Sequence, residues 1–80
     1  MYSVFEQRRA QPFFELSEAR EARAQLEFLH PDEEFYILDV KHQRVRPDLY
    51  LSLSVADLRA PFIYVVQRAQ DESFLVQHGG

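Results

Sequence analysis

Cysteine is absent from this 80-residue sequence, and glycine occurs only at its last two positions. Without cysteine the chain has no disulfide framework, no cysteine-ligated zinc site and no thiol nucleophile. Nucleophile elbows, phosphate-binding loops and dinucleotide-binding turns use glycine for a positive φ angle or for close approach of the backbone to a ligand. The lack of internal glycine therefore argues against an enzyme, and we predict no catalytic residue and no cofactor.

Long apolar runs are also missing from the sequence. No stretch approaches the roughly 20 apolar residues that cross a bilayer, and the first residues lack the basic and apolar regions of a signal peptide. Together with the absence of cysteine, this predicts a cytoplasmic protein that does not enter a membrane. The basic residues comprise one Lys and eight Arg, a bias that indicates a GC-rich gene of a bacterium or a phage.

Apolar and aromatic side chains, by contrast, are abundant. Apolar residues make up 46% of the chain, which contains seven Phe and four Tyr. Such a composition is too apolar for a disordered chain, and a chain of this length forms one domain. We therefore expect a single compact domain over residues 1–80. Aromatic surface that one helix cannot cover is expected to mark an interface, including that of a homodimer.

The segment 17–30 predicts the one helix of this domain. Ser17 is a favourable N-cap residue, and Pro31 ends the helical pattern. Four apolar residues recur at steps of three and four positions and define the face that we expect to be buried, namely Ala19, Ala22, Leu26 and Leu29.

Strand-forming patterns occur on both sides of the helix, at residues 2–7, 13–16, 35–40, 49–53, 62–67 and 73–77. Segment 13–16 fits a short strand or an apolar plug, after a turn that ends at Pro12. The continuously apolar segment 35–40 is typical of a strand that is central or covered on both faces. Segment 49–53 alternates as a half-buried strand does, and the last two segments form a hairpin.

A short helical turn is predicted between these strands, because Ser54 and Asp57 have the spacing of a capping box. The complete pattern predicts an α+β fold in which one helix, at about residues 17–30, packs on a mostly antiparallel sheet of four to six strands.

The basic segment 41–46 is the best candidate for a binding surface. If it continues the preceding strand, His42, Arg44 and Arg46 point to one side, and Tyr50 lies nearby. Arginine and aromatic side chains on an exposed strand are typical anchors of protein interfaces, and they also contact nucleic acids. The net charge of −4 and the lack of a nucleic-acid-binding signature disfavour nucleic acid. The simplest alternative is a solvated connection whose charges protect a sheet edge.

His30 precedes the acidic residues 32–34, a combination that resembles a set of metal ligands. However, Pro31 breaks the helix between them, and no regular ligand spacing fixes their geometry. We therefore predict no metal site.

Gly79 and Gly80 end the sequence, and a flexible end or a cloning remnant is their simplest interpretation. The size of the chain, its one central helix and a late strand leading to two glycines are similar to the ubiquitin-like β-grasp family. In that family the exposed diglycine carboxylate is activated by adenylation. The resemblance implies a carrier protein whose functional terminus is Gly79 and Gly80.

The leading hypothesis is a small non-enzymatic protein-binding module that inhibits or regulates a larger protein partner. Its predicted contact residues are His42, Arg44, Arg46 and Tyr50. The ubiquitin-like carrier is the alternative, and a nucleic-acid-binding accessory protein is the second alternative.

Overall fold

Six strands, one α-helix and one short 3-10 turn follow one another in the computed structural model, which describes residues 3–43, 45–46 and 48–77. In chain order they are β1 (Ser3–Glu6), β2 (Arg9–Ala10), α1 (Leu16–Leu29), β3 (Phe35–Asp39), β4 (Tyr50–Leu51), the 3-10 turn (Asp57–Arg59), β5 (Tyr64–Arg68) and β6 (Ser73–Gln77). Strands β1, β6, β5 and β3 form an antiparallel sheet in that order, and β2 pairs with β4 in a small parallel sheet. The predicted α+β fold is confirmed.

The sheet divides the hydrophobic core into two clusters. On the helix side lie Leu26, Phe35, Val66 and Leu75. On the opposite side lie Ala10, Val65 and Phe74, which pack against half-buried residues of β3 and of the segment around β4. Successive residues of a strand point to opposite faces, so both alternating sets must be apolar. This explains the continuously apolar strand patterns in the sequence.

Strand β3 lies at an edge of the sheet, because within residues 3–43, 45–46 and 48–77 it pairs with β5 alone. Of the two predicted alternatives, a central position or coverage of both faces, the structure shows the second. Ile37 packs into the cluster on the helix side, and Leu38 packs into the opposite cluster.

Residues 11–13 fill an opening between β5 and β6. These strands pair only near their hairpin turn, at Gln67 with Phe74 and at Arg68 with Ser73. Farther from that turn, Phe13 exchanges two backbone hydrogen bonds of 2.8 and 2.7 Å with Tyr64. Segment 13–16 is thus not a strand, because Phe13 alone forms an isolated bridge and Leu16 begins the helix.

The helix differs from its prediction at both ends. It begins at Leu16 with Glu15 in the N-cap position, so Ser17 lies inside its first turn and the predicted N-cap is wrong. At the other end, Leu29 is 61% exposed and not part of the buried face. After the helix the chain folds back along its last turn. There Phe35 packs against Leu26, and the Phe35 and His30 ring centroids lie 6.4 Å apart.

The segment around β4 confirms the predicted alternation. Leu49, Leu51 and Leu53 are half-buried, but only Tyr50–Leu51 forms a strand. The capping box that follows is also confirmed. The Ser54 backbone N–H donates to the Asp57 carboxylate at 3.0 Å, and the Asp57 backbone N–H donates to Ser54 Oγ at 3.1 Å.

Candidate protein-binding surface

The chain turns back after β3 between Asp39 and Gln43. The Gln43 backbone N–H donates to the Asp39 carbonyl at 2.8 Å, and Gln43 Oε1 accepts from the Asp39 backbone N–H at 3.0 Å. The segment 41–46 therefore does not continue the strand. The expected row of His42, Arg44 and Arg46 on one strand face is wrong, and Arg44 itself lies outside the described residues.

His42 is oriented by the carboxylate at the start of this turn. Its Nδ1 lies 3.0 Å from both carboxylate oxygens of Asp39, and the Lys41 backbone N–H donates to Oδ1 at 3.2 Å. The hydrogen bond from His42 is the main cause that lowers the pKa of Asp39. Asp39 is therefore ionised at neutral pH and holds the imidazole ring in place.

The His42 ring begins a row of aromatic side chains. It lies 5.5 Å from the Phe62 ring, centroid to centroid, and Phe62 stacks on Tyr64 at 6.0 Å with an interplanar angle of 8°. Lys41 Nζ donates to the carbonyls of Ala60 at 2.6 Å and Leu58 at 3.5 Å. These hydrogen bonds hold the 3-10 turn close to the chain reversal that follows β3.

We call the surface formed by His42, Leu58, Phe62 and Tyr64 the aromatic corner. The Leu58 residue is 58% exposed and Phe62 is 44% exposed. The neighbouring Val55, which precedes the 3-10 turn, is 74% exposed. The corner thus presents apolar side chains to solvent beside an oriented imidazole, an ionised carboxylate and an ammonium group.

The orientation of His42 by Asp39 is one of several elements that a catalytic site requires. The imidazole of His42 has an orienting carboxylate, but a catalytic arrangement also needs a nucleophile within hydrogen-bond distance of the ring. The nearest serine in sequence to the aromatic residues is Ser54, whose Oγ accepts a hydrogen bond in the capping box. Among the described residues, no three histidine or carboxylate side chains are grouped as metal ligands.

Arg46 lies away from the aromatic corner and is held by the fold. Its guanidinium donates to Gln7 Oε1 at 3.3 Å and to the Gln7 carbonyl. It also lies 5.2 Å from the centroid of the buried Phe74 ring. These contacts connect the segment after β3 to the end of β1.

Tyr50 belongs to the small parallel sheet, whereas the His42 ring lies against Phe62, which precedes β5. The Tyr50 backbone N–H donates to the Arg8 carbonyl at 2.7 Å, and Tyr50 is 63% exposed. A cavity of about 150 Å³ beside it is lined by Arg9, Pro12, Ser52 and Val76, among others. Of the predicted contact residues, the structure thus exposes His42 and Tyr50 on different elements.

The outer face of the helix carries an apolar surface that the sequence analysis did not single out. Phe28 is 86% exposed, and with Ala24, Gln25 and Leu29 it lines a depression of about 410 Å³. Phe28 follows the buried Leu26 by two positions, which places it about 200° around the helix from that residue. Helical spacing therefore contained the signal for its exposure.

Comparison of the chain with known protein families, curated proteins and solved structures gives no significant match. Gly79 and Gly80 lie outside the described residues, so the carrier interpretation stays a prediction. In the part of the chain that the structure describes, no helix is both long and apolar enough to cross a membrane.

Proposed function

We propose that this protein is a non-enzymatic binding module that inhibits or regulates a larger protein partner through its aromatic corner. The observation that carries the proposal is the exposure of Phe62 against the oriented ring of His42, together with the exposed Leu58, whose carbonyl accepts from Lys41. A location in the cytoplasm, predicted from the sequence, is part of the same proposal.

The composition of the aromatic corner supports protein binding. The centres of protein interfaces are enriched in aromatic residues, and polar groups surround them. Here Phe62 lies against the His42 ring, which binds the Asp39 carboxylate, and the nearby Ala60 carbonyl accepts from the Lys41 ammonium group. Exposed apolar groups of this kind are stabilised when a partner removes them from water.

The arrangement of charges favours a protein over a nucleic acid as the partner. Four arginines form ion pairs with acidic side chains, in the pairs Arg8–Asp48, Arg9–Glu6, Arg23–Glu27 and Arg68–Asp71. Nucleic acids are bound by basic groups that neutralise phosphates. Pairing with carboxylates leaves less positive charge for that purpose.

The proposal is tested by capture of a stoichiometric partner from the native host, followed by affinity measurements with the purified partner. The Phe62→Ser and Leu58→Ser variants remove the two exposed apolar side chains of the corner. We expect each to weaken binding by about tenfold or more, because buried interface anchors contribute at least about 1–2 kcal/mol. Phe28→Ser is the matched control, since Phe28 is also exposed but lies on the helix.

Arg44→Ala is a better test of the basic segment than a variant of Arg46, because Arg46 also supports the fold. Circular dichroism verifies that each variant is folded. Equal binding by wild type and the two corner variants would rule out the aromatic corner as the binding surface. Absence of a stoichiometric partner would contradict the function itself.

A further inference from the structure

The depression on the outer face of α1 lies toward the C-terminal end of the helix, and we call it the helix groove. Five exposed residues line it, namely Glu21, Ala24, Gln25, Phe28 and Leu29. Phe28 is 86% exposed and Leu29 is 61% exposed. Two neighbouring apolar side chains with this exposure are stabilised when another molecule removes them from water.

The shape of the helix groove suits a second helix. Side chains four positions apart form ridges along a helix, and the groove between two ridges receives a ridge of a packed helix. One ridge here consists of Glu21, Gln25 and Leu29, and the next consists of Ala24 and Phe28. Ala24 carries only a methyl group, so it leaves an opening that a side chain of a second helix can fill.

The charges of the helix around this groove are negative. One of the five lining residues is acidic and none is basic, and the acidic Glu18 lies one turn before Glu21 on the same side of the helix. The last turn of α1, which the structure describes completely, contains no basic residue. Helix C-termini carry a partial negative charge, and no side chain of this turn offsets it.

The turn that follows the helix adds further negative charge. Asp32 comes three positions after the last helical residue and is exposed, and Glu34 is exposed as well. Glu34 accepts a hydrogen bond from the neutral Tyr36 hydroxyl and keeps its charge. Glu33 lies 3.3 Å from His30 Nδ1. The groove thus has acidic groups at both of its ends.

The two arginines of α1 do not reverse this charge. Arg23 Nε lies 3.3 Å from Glu27 Oε1, so the charges of this pair offset each other. Arg20 lies about 12 Å before Phe28 along the helix axis and does not line the groove. A second copy of α1 would bring the same acidic groups to the groove, and like charges repel each other.

We propose that the helix groove binds a basic amphipathic helix of a partner protein. Apolar side chains of that helix cover Phe28 and Leu29, and one of them enters the opening at Ala24. Its lysine or arginine residues contact Glu21 at one end of the groove and Asp32 at the other. This surface is separate from the aromatic corner.

Three synthetic peptides of about 18 residues, long enough to form a helix, test the proposal by fluorescence anisotropy. The first has leucine on one helical face and lysine on the other. The second has glutamate in place of each lysine, and the third is a scrambled form of the first without an apolar face. We expect the first peptide to bind at least about tenfold more tightly than the others, and to bind less tightly at higher ionic strength.

Variants of the groove locate the binding of the leucine–lysine peptide. Phe28→Ser removes the largest apolar side chain of the groove and should raise the dissociation constant about tenfold. Glu21→Arg reverses the charge at one end and should raise it about fivefold or more. The matched controls are Val55→Ser and Asp48→Asn, at an exposed apolar residue and an exposed acidic residue outside the helix. Both should leave the dissociation constant within about twofold, and circular dichroism verifies that each variant is folded.

Equal binding of the first and third peptides would overturn the proposal, and so would binding of the first that Phe28→Ser leaves unchanged, because charge alone would then attract the peptide. A mass of two chains in analytical ultracentrifugation that Phe28→Ser returns to one chain would also overturn it, because a second copy would cover the groove. Binding at the aromatic corner is measured with a different partner. The Phe28→Ser variant should weaken binding of the peptide alone, so the two surfaces are tested separately.

Discussion

The guanidinium of Arg46 lies 5.2 Å from the centroid of the Phe74 ring. Phe74 is 1% exposed and belongs to the cluster on the sheet face opposite the helix. The arginine therefore covers a core side chain while it donates hydrogen bonds to Gln7. A residue that the sequence analysis interpreted as a partner contact also has a structural role.

Arg46→Ala should lower the free energy of unfolding by about 1–3 kcal/mol. The change removes a cation–π contact and charge-assisted hydrogen bonds to Gln7. Arg46→Lys should recover only part of this loss, because lysine lacks the planar guanidinium fork. Urea unfolding measures both variants. The control is Arg59→Ala, an exposed arginine at the end of the 3-10 turn, for which we expect a change within about 0.5 kcal/mol.

Two large side chains of the helix should differ sharply in their effect on stability. Leu26 is 2% exposed, and Leu26→Ala should cost about 2–5 kcal/mol, since it leaves a cavity in the core. Phe28 is 86% exposed, and Phe28→Ala should change the free energy of unfolding by about 0.5 kcal/mol or less. Thermal unfolding of the two variants provides the measurement. A large loss with Phe28→Ala would mean that Phe28 is covered in solution.

The hairpin between β5 and β6 should make stability depend on acidic pH. Arg68 donates to both carboxylate oxygens of Asp71, at 3.1 and 2.7 Å, and the Ser73 hydroxyl donates at 2.5 Å. The Arg68 guanidinium is the main cause that holds the pKa of Asp71 well below its usual range. The stabilisation is therefore complete above the unfolded value of about 3.9 and is lost as the pH falls through the lower folded value.

Denaturation curves between about pH 7 and pH 2 test this dependence on Asp71. Asp71→Asn should be less stable than wild type at neutral pH and should lose less stability on acidification. Asp32→Asn is the control, because Asp32 is exposed in the turn after the helix. If Asp71→Asn and wild type lose the same stability over this range, the pH dependence comes from other groups.

Glycine should be favourable at the one described residue with a positive φ angle. Glu72, in the turn of the β5–β6 hairpin, has φ = 58°. The left-handed region costs a residue with a Cβ atom about 1–2 kcal/mol, and glycine loses part of that advantage through its larger entropy in the unfolded chain. Glu72→Gly should therefore stabilise the protein by about 0.5–1 kcal/mol, measured by thermal unfolding. Glu72→Ala should give no such gain.

The candidate surface was only partly predictable from the sequence. The segment 41–46 stays a predicted binding surface, and the structure places its His42 against Phe62. Its predicted row of side chains failed because Gln43 closes a turn on Asp39 by backbone and side-chain hydrogen bonds. The His42 ring lies against Phe62, and the Leu58 carbonyl accepts a hydrogen bond from Lys41. Both contacts join residues far apart in the sequence, and no local pattern encodes such proximity.

The sequence by itself determined the fold class, the helix, the final hairpin and the capping box at Ser54. These depend on periodicity, turn residues and short-range hydrogen bonds, all of which are local. The tertiary structure alone decided that β3 lies at an edge and that Phe13 bridges to Tyr64. An apolar strand has the same pattern whether both of its faces are covered at the centre of a sheet or at its edge, because side-chain burial reports the faces and backbone pairing decides the neighbours.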